Sequence, residues 1–147
     1  MADALKGRCL CGAVAFTATP EAMEMALCHC AMCRRWAGGP MMAVTCGSDV
    51  AVTGEENLGV YQSSDWGERC FCSTCGATLF WRMRDGSHTA ISAQAFEDPA
   101  AFALTTEIFI DEKPDNYAFA GETHKMTGAE VIAMFTGGAS NADGEAG

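Results

Sequence analysis

The stretch Cys72-Ser73-Thr74-Cys75-Gly76 places two thiols three residues apart and follows the second with glycine. This is the spacing of a zinc knuckle, in which a short loop makes both sulfurs converge on one ion. A second pair, Cys9-Leu10-Cys11, can point both sulfurs to the same side of an extended segment. Joining the two pairs predicts a closed structural zinc site of four cysteines, which would tie the start of the chain to its middle.

A redox role is the alternative for this group of thiols. Cys72 and Cys75 have the spacing of a thioredoxin-like dithiol, which normally precedes a helix. The residues that follow, Ala77-Thr78-Leu79-Phe80-Trp81, have the pattern of a strand instead. The sequence therefore favours a structural ion over a redox pair.

A second cluster, Cys28-His29-Cys30-Ala31-Met32-Cys33, packs three thiols into six residues. Three ligands from one segment suit three corners of a tetrahedron, and catalytic zinc sites keep the fourth position for water or substrate. A sulfur-rich, soft site suits a thiol substrate, since a coordinated thiol loses its proton. The spacing predicts a second, open zinc on Cys28, Cys30 and Cys33, and this zinc is expected to be lost more easily than the first.

Three alternatives for the second cluster stay open. In the first alternative, His29 is the fourth ligand. Against it, the middle side chain of an extended Cys-x-Cys segment faces away from the two cysteines. Cys46 or Cys70 would close the site, although unpaired cysteines are more often core residues. The three thiols would otherwise bind no metal and take part in thiol exchange.

Two arginines and a tryptophan follow the triplet directly. The guanidinium of Arg34 is a candidate catalytic group that clamps a substrate carboxylate or offsets the anionic zinc–thiolate centre. Arg35 is equally well explained as a solvated surface charge. Trp36 is the candidate aromatic wall over the open site.

Composition and charge limit the class of protein. The chain has 147 residues, 49% of them hydrophobic, and a formal net charge of -10. We expect one zinc-binding domain over residues 1–135 and a disordered tail over 136–147, where Gly, Ala, Ser and Asn dominate. An acidic chain of this kind repels a phosphate backbone, so nucleic-acid binding is not expected.

The amino terminus and the length of the apolar runs bear on location. Residues 1–6 contain no apolar segment of secretory type, and no run reaches the length of a membrane span. We therefore expect a cytoplasmic protein with no membrane partner. Thiols stay reduced in that compartment, which favours metal ligands over disulfides.

The pattern of apolar residues and turns predicts a mainly β fold. The expected strands are Ala13–Thr19, Met23–Cys28, Met41–Cys46, Val50–Thr53, Val60–Ser63, Arg69–Phe71, Ala77–Met83, Thr89–Ala93 and Glu107–Ile110. Gly47-Ser48-Asp49 predicts a hairpin turn, and the residues after Cys28 predict a loop that ends at Gly38-Gly39-Pro40. Thr127-Gly128-Ala129-Glu130 fits a capping box and predicts one short C-terminal helix.

The cysteine motifs and their flanks resemble a known family. The chain is similar to the glutathione-dependent formaldehyde-activating enzyme and centromere protein V family over roughly residues 5 to 120. The matching motifs are Gly7-Arg8-Cys9-x-Cys11-Gly12-x-Val14, Cys28-His29-Cys30-x-x-Cys33-Arg34, Phe71-Cys72-x-x-Cys75-Gly76, Phe96-Glu97-Asp98-Pro99, Glu107-Ile108-Phe109 and Asp111-Glu112-Lys113-Pro114.

The resemblance implies a fold, a metal content and a reaction. The fold is a β-tent of small coiled antiparallel sheets around zinc. Cys9, Cys11, Cys72 and Cys75 take the structural ion in that family, and Cys28, Cys30 and Cys33 take an exchangeable zinc that binds the thiol of glutathione. The implied reaction adds formaldehyde to that thiol to give S-hydroxymethylglutathione and is classed with carbon–sulfur lyases.

The leading hypothesis is therefore a zinc-dependent enzyme. It binds a small, glutathione-like thiol as thiolate and presents it to an aldehyde-type electrophile, with Arg34 anchoring the carboxylate of the thiol. Two alternatives stand beside it. One is a non-catalytic zinc module with a structural or interaction role. The other is a thiol-redox protein, which requires Cys46 or Cys70 to be exposed with a lowered pKa.

Overall fold

The computed structural model of the chain describes residues 3–136. They divide into two compact units. The first contains the residues up to Met25 together with Met42–Ala103, and the second contains Ala26–Met41 together with the residues from Leu104 onward.

Short strands make up most of the secondary structure. The strands are β1 (Leu5–Arg8), β2 (Ala15–Ala18), β3 (Glu24–Cys28), β4 (Met41–Thr45), β5 (Val50–Thr53), β6 (Leu58–Gln62), β7 (Gly67–Cys72), β8 (Thr78–Met83), β9 (Thr89–Ser92), β10 (Ala103–Ile108) and β11 (His124–Met126). The α-helices are α1 (Ala31–Ala37) and α2 (Gly128–Phe135). Single 3-10 turns lie at Glu55–Asn57, Ala93–Ala95, Pro99–Ala101 and Ile110–Glu112.

The first unit contains two groups of antiparallel strands. Strands β1, β2 and β5 pair in that order, and the others follow the order β4-β9-β8-β7-β6. Strands β6 to β9 form a meander with tight connections. The register of β7 on β8 shifts between Cys70 and Phe71, directly before Cys72. This bulge bends the strand end that leads into the zinc-knuckle sequence.

The core of the first unit is made by buried apolar residues of these strands and their connections. Leu79, Phe80 and Ile91 are fully buried, and each contributes roughly 1.5–3 kcal/mol through burial of its side chain. Phe96 makes edge-on contacts with the rings of Phe16 and Phe102, with ring centroids 5.2 and 4.9 Å apart. The core therefore connects the amino-terminal strands to the meander.

The second unit contains a smaller set of elements. Strands β11, β10 and β3 are neighbours in that order, and β10 and β11 run parallel. Helix α2 begins with the predicted capping box. The Thr127 hydroxyl accepts a hydrogen bond from the Glu130 amide, and the Glu130 carboxylate accepts one from the Thr127 amide. Phe109 has a left-handed φ of 54°, and its ring occupies the space that a side chain at position 128 would need. Glycine at 128 lets α2 start against that ring.

The structure confirms the mainly β class and the short C-terminal helix. The more specific expectation of a β-tent around zinc stays a prediction, as does a single domain over residues 1–135. Positions 137–147 of the predicted disordered tail, 136–147, lie outside the described residues. No helix within residues 3–136 has the length and apolar character needed to cross a bilayer.

Two local predictions were wrong. The segments around Gly47 are not a hairpin, because β4 pairs with β9 whereas β5 pairs with β2. A turn alone does not fix pairing, and β5 pairs with β2, in which alternate residues are buried. The predicted loop after Cys28 contains helix α1, which Gly38 ends in the left-handed conformation (φ 83°).

Candidate metal centres

Four cysteine sulfurs of the first unit form a compact tetrad. The Sγ atoms of Cys9, Cys11, Cys72 and Cys75 all lie within 4.8 Å of one another. The Cys9–Cys11 and Cys11–Cys72 sulfur pairs are each 3.8 Å apart. Sulfurs at the zinc–thiolate distance of about 2.3 Å on a tetrahedron are separated by about 3.8 Å, whereas a disulfide requires about 2.05 Å. All four cysteines are free thiols, and their spacing fits zinc.

Backbone amides surround the tetrad. The amides of Thr74 and Cys75 donate to the Sγ of Cys72 at 3.3 and 3.4 Å, and the amide of Val14 donates to the Sγ of Cys9 at 3.3 Å. Gly76 has a φ of 81°, and its amide reaches the Cys72 carbonyl at 2.8 Å. The chain therefore turns tightly over Cys72–Gly76, and Gly76 adopts the positive φ directly after the second sulfur. Amide donors of this kind favour charged sulfur ligands.

The pKa values of two tetrad thiols are shifted in opposite directions. Burial disfavours the Cys75 thiolate, but the amides of Ala77 and Cys11 and the adjacent thiols lower the Cys75 pKa to about 6. The Ala13 amide favours the Cys11 thiolate, but burial and the neighbouring thiols raise the Cys11 pKa to about 11. One thiolate therefore suppresses ionisation of the next. A bound cation removes this repulsion and allows all four to ionise.

The three sulfurs of the second unit form a separate triplet. The Sγ atoms of Cys28, Cys30 and Cys33 lie within 4.8 Å of one another, and all three residues are buried. Cys28 ends β3, Cys30 caps α1 with an extended backbone, and Cys33 lies in the first helical turn. The amide of Cys33 donates to the Cys30 sulfur at 3.4 Å. Helix α1 therefore brings the third thiol back to the other two.

The triplet also fits a soft cation. Hydrogen bonding to the thiols of Cys30 and Cys33, together with burial, raises the pKa of Cys28 far above its ordinary value. Cys28 therefore retains its proton unless a positive charge stabilises its thiolate. Among residues 3–136, no fourth thiol, imidazole or carboxylate joins this group.

His29 lies between two triplet cysteines, but both of its ring nitrogens are hydrogen-bonded elsewhere. Its Nε2 is 2.8 Å from Oε1 of Glu107, and its Nδ1 is 3.0 Å from the hydroxyl of Tyr117. The Tyr117 ring also stacks on the imidazole, with centroids 5.6 Å apart. The structure therefore does not favour His29 as a fourth ligand.

Glu107 is a buried carboxylate with several donors. Burial raises the Glu107 pKa, but hydrogen bonds from Thr123 and His29 lower it to a net value below the ordinary one. The Thr123 hydroxyl is 2.6 Å from Oε2, and Lys125 Nζ is 3.7 Å from the same oxygen. An ionised carboxylate only accepts hydrogen bonds, so Nε2 of His29 donates to Oε1 of Glu107.

The two arginines after the triplet differ in their surroundings. Arg34 is half-buried, and its Nε donates to the His29 carbonyl at 2.9 Å. Arg35 is exposed, which agrees with the prediction of a solvated surface charge. Lys113 Nζ lies 5.0 Å from the centre of the Tyr117 ring, so this cation lies beside the tyrosine that stacks on His29. Trp36 is half-buried in α1, and its role as a wall of the site stays a prediction.

Cys46 and Cys70 belong to the core of the first unit and to neither cluster. Burial and the nearby carboxylates of Glu21 and Asp49 raise the pKa of Cys46 to about 12. Burial raises the pKa of Cys70 to about 11. Buried thiols with raised pKa values are poor nucleophiles, so neither residue has the properties that the redox alternative requires.

The sequence analysis did not identify Glu107, Tyr117 or Thr123 as residues of this region. Glu107 and Tyr117 are 78 and 88 positions from His29, and no local spacing links them. The available signal was His29 itself. In an extended Cys-x-Cys segment the middle side chain points away from the sulfurs and, when polar and buried, requires hydrogen-bond partners.

Comparisons with known proteins give matches of sequence and of fold. The sequence profile of the glutathione-dependent formaldehyde-activating enzyme family matches residues 4–112. An uncharacterised lyase of Schizosaccharomyces pombe is 38% identical over 128 residues, which cover 86% of this chain and 93% of that protein. A Halomonas elongata protein that carries the name of a glutathione-dependent formaldehyde-activating enzyme is 36% identical over 85 residues, 52% of this chain and 54% of that protein.

A solved structure also matches. The crystal structure of a Rhodobacter sphaeroides protein, a structural-genomics target, has a TM-score of 0.57 and 28% sequence identity. The match covers 69% of this chain and 100% of that chain. With the profile match over most of its length, the chain belongs to the glutathione-dependent formaldehyde-activating enzyme family.

Proposed function

We propose that this protein is a zinc-dependent carbon–sulfur lyase that joins a small, glutathione-like thiol to an aldehyde-type electrophile. The observation that carries the proposal is the triplet of three buried thiols, which no fourth ligand-type side chain joins within residues 3–136. Family membership and the name of the Halomonas elongata relative support glutathione and formaldehyde as the substrate pair.

We assign one zinc ion to each cysteine cluster. The tetrad would hold a structural ion, since four sulfurs complete its coordination. The triplet would hold a second ion that exchanges more readily and leaves one position for substrate. Zinc held by the triplet would supply a Lewis acid that favours the thiolate form of a bound thiol near neutral pH. The chemistry requires reduced cysteines, in keeping with a cytoplasmic location.

The protein side chains bind and orient the thiol. Arg34 Nε donates a hydrogen bond to the His29 carbonyl, which would hold the guanidinium in place. Its Nη groups would then serve as donors for a substrate carboxylate. Lys113, beside Tyr117, adds positive charge to a protein whose net charge is -10. These cations would favour a thiol that carries carboxylates over an uncharged thiol.

The reaction balances without an oxidant or a reductant. A bond forms between the sulfur of the thiol and the carbonyl carbon of the aldehyde. The π electrons of the carbonyl move to its oxygen, and the proton released by the thiol ends on that oxygen. The product is a hydroxymethyl thioether when the aldehyde is formaldehyde, and the reverse reaction breaks the same carbon–sulfur bond.

The test is a thiol-exchange assay on zinc-loaded protein. Glutathione and formaldehyde are mixed at equilibrium, and exchange between free and S-hydroxymethylated glutathione is followed by NMR with and without protein. We expect exchange faster than in buffer, with loss of the acceleration in Cys33→Ser. Exchange equal to buffer with formaldehyde and with larger aldehydes would leave a non-catalytic zinc module as the better description.

A further inference from the structure

We infer that His29 is a positioning residue for the triplet and that Glu107 and Tyr117 act through it. The inference rests on the proposed metal site and deepens it, because it names the residues that hold two of the three sulfurs in place. These residues are not ligands. Their effect would be on how tightly and in what geometry the triplet binds its ion.

The alternation of an extended backbone couples His29 to its two neighbours. Side chains at successive positions of an extended segment point to opposite sides, so Cys28 and Cys30 face one way and His29 faces the other. Cys28 ends β3, and Cys30 has φ -66° and ψ 154°, which continues the extended path. Fixing the imidazole on one side therefore fixes the direction of both sulfurs on the other.

Every polar group of His29 has a partner in the second unit. Its amide donates to the Ile108 carbonyl at 3.1 Å, and its carbonyl accepts from Arg34 Nε at 2.9 Å. Its Nε2 lies 2.8 Å from Oε1 of Glu107, and its Nδ1 lies 3.0 Å from the hydroxyl of Tyr117. The residue is 0% exposed. Four hydrogen bonds therefore hold this residue, which lies between two cysteines of the triplet.

The partners of His29 are themselves held in place. Glu107 has a side chain that is 3% exposed, and its second oxygen accepts from Thr123 at 2.6 Å. Tyr117 stacks on the imidazole and makes an edge-on contact with Phe119 at 6.1 Å between centroids. The network therefore resists rotation of the imidazole. Loss of one member leaves a buried polar group unpaired, which costs about 1–3 kcal/mol.

Outer residues of this kind change metal affinity without binding the metal. Replacing groups that orient metal ligands typically lowers affinity by about 10- to 100-fold. We expect Glu107→Gln to weaken zinc binding at the triplet by about this factor, since glutamine has one acceptor oxygen and an NH2 group in place of the two oxygens that accept from His29 and Thr123. Tyr117→Phe removes only the hydroxyl and keeps the stacked ring, so it should have a smaller effect in the same direction.

The tetrad of the same chain provides an internal control for folding. A change that merely destabilises the protein weakens metal binding at both clusters, whereas a positioning role weakens the triplet alone. Glu68→Gln is the matched control variant, because Glu68 also accepts from a basic side chain, Arg82 Nε at 2.7 Å, but belongs to the first unit. It should leave the affinities of both clusters unchanged.

The experiment measures each site separately. Zinc affinities come from competition with a chromophoric chelator, and cadmium-113 NMR of cadmium-loaded protein reports the four-sulfur and three-sulfur sites as distinct resonances. In Glu107→Gln and Tyr117→Phe, we expect a weaker triplet, a shifted triplet resonance, and an unchanged tetrad.

Three results would overturn the inference. Triplet affinity and resonance that are unchanged in both variants would overturn it while leaving the proposed function intact. Equal weakening of both clusters would assign the network to general stability. A single cadmium resonance from the wild-type protein would show that the triplet binds no metal. That result would overturn both the inference and the proposed function.

Discussion

The Sγ atoms of Cys11 and Cys72 lie 3.8 Å apart although 61 positions separate the two residues in the chain. A cross-link over a loop of this length restricts the unfolded chain. By the relation used for disulfides, the lost entropy raises the free energy of the unfolded state by roughly 4 kcal/mol. A metal that joins these sulfurs would therefore stabilise the first unit by restricting the unfolded state as well as by coordination.

Replacing Cys72 should unfold the first unit. Cys72 is fully buried, accepts two amides at its sulfur and belongs to the tetrad. Structural zinc sites contribute about 10–16 kcal/mol of binding free energy, which is as large as the stability of a typical domain, about 5–15 kcal/mol. Circular dichroism and thermal unfolding of Cys72→Ser should show no cooperative transition. Cys46→Ala, a buried cysteine outside the tetrad, is the control and should retain a transition.

Replacing Cys33 should leave the fold intact and remove the second ion. Cys33 lies in the first turn of α1, where serine is compatible with a helix, and its backbone amide can still cap at Cys30. We expect one zinc per chain instead of two, an unchanged thermal transition, and thiol–aldehyde exchange at the rate of buffer. Full activity in this variant would exclude the triplet from the reaction.

Arg34 should set the preference for thiols that carry carboxylates. A charge-assisted hydrogen bond is worth about 1.5–3 kcal/mol, so Arg34→Ala should raise KM for glutathione roughly 10- to 150-fold. KM for an uncharged thiol such as 2-mercaptoethanol should change much less, which separates loss of the anchor from disturbance of the His29 carbonyl. The exposed Arg35 is the control, and a similar effect of Arg35→Ala would argue for general electrostatics.

Cys46 and Cys70 should resist alkylation in the native protein. With pKa values of about 12 and 11, each thiol is ionised to about 0.1% or less at pH 8, and both are buried. Iodoacetamide followed by mass spectrometry should label them only after denaturation. Rapid native labelling of either residue would revive the thiol-redox alternative.

Local spacing predicted the grouping of the cysteines better than it predicted the path of the chain. The short loop of Cys72-Ser73-Thr74-Cys75 and the extended Cys9-Leu10-Cys11 each bring two sulfurs together, and the structure places the two pairs side by side. The Thr127 capping box was equally readable, because its hydrogen bonds span three residues. Such features depend on neighbours in sequence.

Long-range pairing could not be read in this way. The turn at Gly47 predicted that β4 and β5 would pair, but each strand found a partner elsewhere because burial decides register and pairing. Helix α1 has seven residues with only Cys33 buried, so it lacks the apolar periodicity that reveals a helix. The partners of His29 lie 78 and 88 positions away and became visible only in the fold.

The most direct test of the account is the zinc content of the purified protein before and after mild chelation. We predict two ions per chain at first, one of which a moderate chelator removes together with thiol–aldehyde exchange, while the other stays bound and the protein stays folded. A chain that holds one ion throughout, or that loses both together as it unfolds, would contradict the division between a closed four-sulfur site and an open three-sulfur site.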